Sequence, residues 1–215
     1  MQPNADLNLL SLIQWLSPAF PTGGYAYSHG LEQAVVDATL TNAAGLKAWL
    51  TDILTHGSGR QDAILLACAL RPDTDLDALT DLTLALSSSA ERHRETLAQG
   101  TALAQTVAAL TGRRLKPRPL PVALGEAAAP LSLPASQILA LYLHAFASNL
   151  VQAMVRFVPL GQTEGQVTLA ALHPLITRLA ETLCTATEDD LSSSSFGAEL
   201  AAMRHETLQP RIFKT

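Results

Sequence analysis

The stretch from Pro134 to Phe157 limits what this chain can fold into more than any other. Ile138, Leu139, Leu141, Tyr142, Phe146, Leu150, Val151, Met154 and Phe157 would cover most of a helix's circumference. A helix that is apolar nearly all round is either buried on several sides or sits in a membrane. Ser148, Asn149, Gln152 and Arg156 decide between these, because steps of three and four place them on one stripe. A central Arg alone costs about 2.5–3.5 kcal/mol on insertion scales. The pattern therefore predicts the buried central helix, about 134–157, of an all-α domain outside the membrane. Its polar stripe is expected to find hydrogen-bond partners on neighbouring helices.

Only 15% of the 215 residues are charged, against about 25% in a typical domain. So few charges cannot coat a helical surface, which points to coverage by another subunit, most simply in a homodimer. The net charge of −5 argues against non-specific nucleic-acid binding. Cys68 and Cys184 lie far apart in apolar helical patterns and form no CxxC pair, so both read as buried free thiols in a reducing compartment. Met1 to Asp6 lacks the basic segment of a signal or transit peptide, and a cytoplasmic location is expected.

Periodicity and breakers divide the rest into roughly ten helices in one domain. Asp6 is placed to cap the first, which Pro18 ends. Ser17 to Gly30, with two prolines, a Gly-Gly pair and the aromatics Phe20, Tyr25 and Tyr27, reads as a structured turn. Thr41 or Asn42 caps the cleanest amphipathic helix, and Gly57-Ser-Gly59 ends it. Ser88 and Glu91 have capping-box spacing and open a long helix to about Leu110. Arg113 to Pro121 reads as a solvated basic linker, Val122 to Ala129 as a short apolar segment, and Val158 to Gln166 as a second glycine-bearing loop. Pro174 is expected near a helix start, Thr187 to Gly197 as a polar linker, and the last helix must end before Pro210. The expected boundary separates a helical body, 1–198, from a C-terminal tail, 199–215.

Catalytic groups are hard to find. His29, His56, His93, His144, His173 and His205 show no i+3 or i+4 pairing and no HExxH, so no preformed metal site is expected and His144 reads as a core residue. There is no phosphate loop, no GxSxG and no sign of a cofactor. Glu91 and Glu95 flank His93 on one helix and could do acid–base work if desolvated. A solvated face of mixed charge is the plainer expectation. By contrast, the tail mixes Met203, Ile212 and Phe213 with Arg204, His205, Glu206, Arg211 and Lys214, a blend suited to a protein interface.

Three stretches carry a resemblance. Ser17-Pro-Ala-Phe-Pro-Thr-Gly-Gly-Tyr-Ala-Tyr-Ser-His-Gly-Leu-Glu32 is similar to the N-terminal signature of the urease accessory protein UreF family. Ala145-Phe-Ala-Ser-Asn149 with Val158 to Gln166 resembles its middle signature, and Ala202-Met-Arg-His-Glu-Thr207 with Arg211 its C-terminal one. The sequence departs from the pattern at Thr22, Ala202, Leu208, Gln209 and Pro210. The resemblance implies an all-α, dimeric accessory protein without a catalytic site or cofactor of its own. It implies joining a UreD/UreH-type protein and recruiting the GTPase UreG, so that nickel enters apo-urease. Tyr25 and Arg211 match family positions implicated in complex formation. Gly23, Gly24, Tyr27, Ser28, Met203, Arg204, His205, Glu206 and Phe213 fall within or beside the same signatures and complete the expected partner-binding set. If the protein also stimulates GTP hydrolysis through an inserted arginine, Arg156, Arg204 and Arg211 are the candidates.

Overall fold

In the computed structural model, Ala135–Phe157 is a single 23-residue helix at the centre of the fold. The structure describes residues 5–158 and 160–215. Among them are ten α-helices, three short 3-10 turns and no strand. The helices are α1 (Ala5–Leu16), α2 (Leu31–Val36), α3 (Ala43–His56), α4 (Ser58–Ala69), α5 (Leu76–Ala85), α6 (Ala90–Thr111), α7 (Leu120–Ala128), α8 (Ala135–Phe157), α9 (Gln162–Leu183) and α10 (Phe196–His205).

Among the described residues, α8 alone is long and apolar enough to cross a membrane. It lies instead within the bundle, packed on α9 and against α1, α2, α3 and α4. Leu139, Leu143, Ala147, Val151 and Met154 are fully buried along it. The polar stripe departs from expectation. Ser148, Asn149 and Gln152 are half-buried, Arg156 is exposed, and none has a side-chain hydrogen bond to another described residue. The turn at Gly24, rather than a helix, lies over Asn149.

Local chemistry explains most of the helix starts. Asn42 Oδ1 accepts from the Gly45 amide at 2.9 Å, and the Asp75 carboxylate accepts from the Asp77 and Ala78 amides. The cap of α6 is Ser89, not Ser88; its hydroxyl accepts from the Arg92 amide. With Ser89 as the cap the third helical position is Arg92, so Glu91 makes no capping box; its carboxylate turns toward the C-terminal segment. Asp6 lies inside the first turn of α1 rather than capping it.

Three segments expected as loops are fastened down. The basic stretch after α6 is a strap rather than a solvated linker. Arg113 donates to the carbonyls of Glu126 and Ala127 at the end of α7, while Arg118 is buried and pairs with Asp77 and Glu126. The strap lies on α6 at Gly100, where a Cβ would come 2.0 Å from the Arg118 carbonyl oxygen. Similarly, α9 begins at Gln162, so most of the expected second loop is helix. Gly165 serves close packing there, since its Cβ would meet the Val155 side chain at 2.6 Å. Pro174 sits inside α9, not near its start. The serine-rich stretch before α10 is anchored too: Ser194 donates its amide to the His56 carbonyl, and the buried Ser195 bonds Asp52. Cys68 is buried, which pushes its thiol pKa up, whereas Cys184 is only partly covered.

Gly100→Ala should destabilise the fold by about 1–3 kcal/mol, because backbone atoms on both sides must separate. Helix propensity alone would favour Ala by about 1 kcal/mol. Gly197→Ala, with no atom within 4 Å of the added methyl, is the control in the same denaturant titration.

Candidate docking face

The aromatic turn owes its shape to a few backbone positions. Gly23 and Gly30 sit at φ of 74° and 76°, in the left-handed region that glycine enters without penalty. Gly30 also lets α10 cross close by, since a Cβ there would meet the Ala202 amide nitrogen at 2.8 Å. Between them, Gly24–Ala26 forms a 3-10 turn that leaves Tyr25 60% exposed, while Tyr27 and Ser28 point inward and are buried.

The C-terminal segment runs alongside this turn. The Lys214 amide donates to the Ala26 carbonyl at 2.8 Å, and the Ser28 amide donates to the Thr215 carbonyl at 2.9 Å. The Ser28 hydroxyl bonds the same carbonyl oxygen. Phe213 is buried edge-on against Phe157 at the end of α8. The Lys214 ammonium lies 5.8 Å from the Tyr27 ring centroid, within cation–π range.

Beneath the segment, buried carboxylates hold it in place. Glu32 on α2 accepts from the Ile212 amide at 2.7 Å, the Phe213 amide at 2.8 Å and His205 Nε2 at 3.0 Å. Glu91 on α6 accepts from His205 Nδ1 at 2.8 Å and from the Arg211 guanidinium. Both ring nitrogens of the fully buried His205 thus face carboxylates. Glu95, one turn further along α6, is 1% exposed and faces His29 at 2.9 Å, Arg92 at 3.1 Å, Gln99 at 2.9 Å and the Thr215 hydroxyl at 3.1 Å. Arg92 also holds Asp62, which accepts from the Tyr142 hydroxyl at 2.7 Å.

Burial pushes the Glu95 carboxyl up, but His29 and Arg92 outweigh it and hold its pKa at about 2. Burial alone would lower Arg92, yet Asp62 and Glu95 raise it. Tyr142 is pushed well up by burial and by Asp62. Glu95 and Arg92 therefore each stabilise the charge of the other.

That arrangement corrects two expectations. Glu91, Arg92 and Glu95 are not a solvated face; all three are buried. Nor are Glu91, His93 and Glu95 brought together as an acid–base site: His93 is exposed, whereas the buried Glu91 and Glu95 are engaged by His205 and His29. A carboxylate held near pKa 2 by His29 and Arg92 is a poor proton shuttle at neutral pH. Among the described residues no group of three or more metal-binding side chains is present.

Homology agrees with the family resemblance. A UreF family model matches residues 40–173. The urease accessory protein UreF of Cereibacter sphaeroides (strain ATCC 17029 / ATH 2.4.9) is 64% identical over 207 residues, covering 96% of this chain and 98% of that protein. The chain belongs to the UreF family. The UreF of Paracoccus denitrificans (strain Pd 1222) is 52% identical over 206 residues, covering 96% of this chain and 95% of its own, and that of Jannaschia sp. (strain CCS1) is 48% identical over 207, covering 96% and 94%.

Against the UreF signatures, the residues singled out by sequence divide into two groups. Tyr25, Met203, Arg204, Glu206 and Arg211 are exposed, and Gly23 and Gly24 are half-buried beside Tyr25. Tyr27, Ser28, His205 and Phe213 are buried, and their contacts are within the chain. Arg204 pairs with Asp37, and the Glu206 carboxylate accepts from the Ala90 amide at the start of α6. Sequence reasoning missed His29 and Asp62, and it did not single out Glu32. Glu32 closes the N-terminal signature, and that position was the available signal.

Proposed function

We propose that this chain is a non-catalytic scaffold in urease maturation. Tyr25 and the C-terminal segment form its docking face for a UreD/UreH-type accessory protein, and the combined surface recruits the GTPase UreG for nickel insertion into apo-urease. The observation that carries this reading is the fastening of residues 205–215 beside the aromatic turn, by Glu32, Glu91 and Glu95 beneath and by the Ala26 and Ser28 backbone alongside. The buried acids spend their hydrogen-bonding capacity on positioning. Exposed Tyr25, Met203, Arg211 and Ile212 are left on the outside of what they position. Arg211 keeps 42% of its side chain exposed beside Glu91, so it can still bond a partner.

For an effect on UreG, Arg156 is the remaining candidate. It is exposed and has no acidic partner among the described residues, whereas Arg204 and Arg211 are engaged with Asp37 and Glu91. The homodimer reading is supported by an uncovered apolar stripe on α1, where Leu7 and Leu10 are each 61% exposed and Ile13 is 48% exposed. Sedimentation at micromolar concentration should give a dimer, and a monomer would count against it. The maturation role is tested in cells lacking this polypeptide. Urease there should accumulate without nickel and regain it on complementation, and nickel-loaded urease at normal yield would contradict the proposal.

A further inference from the structure

Two histidines from different helices stand together. His144, in the middle of α8, and His173, in the middle of α9, have ring centroids 5.3 Å apart with planes at 47°. His173 is exposed and His144 is half-exposed rather than a core residue, so solvent reaches the pair. No spacing rule could show it, because the two residues meet only through the packing of α8 on α9.

Imidazole nitrogens bind divalent transition metals at about 2.0–2.1 Å, so two rings serving as adjacent tetrahedral or octahedral ligands have centroids roughly 4.4–5.2 Å apart. The observed 5.3 Å lies just beyond that range, within reach of a small rotation about either side chain. Both residues are carried on helices, which hold the two attachment points steady. Pro174 has no amide hydrogen for the Ala170 carbonyl, which leaves an oxygen acceptor on the face of α9 that carries His173. Such an acceptor can orient a ligating ring or a metal-bound water.

We propose that His144 and His173 form a two-histidine site for a borderline divalent transition-metal ion, with water in the remaining positions. Imidazole suits Ni(II), Cu(II) and Zn(II), and it discriminates against Mg(II), which prefers oxygen. No third protein ligand stands nearby among the described residues, so the ion is held openly and exchanges readily. The inference does not depend on the maturation reading.

Calorimetric titration of the full, untagged chain with nickel chloride and with zinc chloride tests it, with magnesium chloride as control. One nickel or zinc per chain is expected, and no magnesium. His173→Ala and His144→Gln should each weaken binding by about tenfold or more. His93→Ala, at an exposed histidine elsewhere, should leave it unchanged. Because His173 is exposed, its replacement leaves the core intact, and circular dichroism will confirm that the variant is folded. Unaltered affinity in both pair variants, equal loss in His93→Ala, or no binding up to millimolar metal would overturn the proposal.

Discussion

Glu95→Ala is expected to destabilise the protein by about 3–5 kcal/mol, the cost of removing one partner from a buried charged cluster. The change leaves the buried Arg92 with only Asp62, and it takes away the acceptor shared by His29, Gln99 and the Thr215 hydroxyl. Chemical denaturation of wild type and variant measures it, and a loss under about 1 kcal/mol would mean that the cluster is hydrated rather than sealed. The same group predicts an acid limit. Its carboxyl titrates near 2 in the fold against an ordinary value of 4.5. A depressed pKa contributes stability that is complete above the unfolded value and shed as pH falls toward the folded one. Wild type should therefore lose stability between about pH 5 and pH 2, and Glu95→Ala should show a shallower loss over that window.

Glu32→Ala should release the C-terminal segment. The Ile212 and Phe213 amides and His205 Nε2 all donate to this carboxylate, and His205 is fully buried. Leaving them without an acceptor costs roughly 1–3 kcal/mol for each buried group, enough to favour detachment over burial. Amide hydrogen exchange reads this directly. Protection at residues 212 and 213 should fall to that of a solvated peptide, while protection in α8 persists. Arg204→Ala is the contrast. It breaks a pair with Asp37 whose arginine side chain is 54% exposed, so it should change stability by less than about 1 kcal/mol.

The fold class was readable because α8 and α3 carry their own signals: an apolar helical period in one, an Asn42 cap and amphipathic face in the other. Where sequence reading failed, a glycine or a cation had a distant partner. Gly165 resembled a loop residue, but it is needed for α9 to approach Val151 and Val155. Arg118 resembled a solvated charge, but its acids are supplied by α5 and α7. The acidic cluster was hidden for the same reason. Glu91, Arg92 and Glu95 alternate like a solvated face, and only contacts with His205, Arg211 and Thr215 more than a hundred residues away show that they are buried. Tyr25 and Arg211 were found through motif resemblance, not through spacing.

The proposed docking face joins the aromatic turn and the fastened C-terminal segment into one surface for a protein partner. Capture of the UreD/UreH-type accessory protein by immobilised wild type, Tyr25→Ala, Arg211→Ala and the chain ending at Thr207 tests it most directly. Capture by wild type, clear weakening in each substituted form and loss in the shortened chain are expected, with helical content unchanged in the two substituted proteins. Undiminished capture by all three altered forms would contradict it.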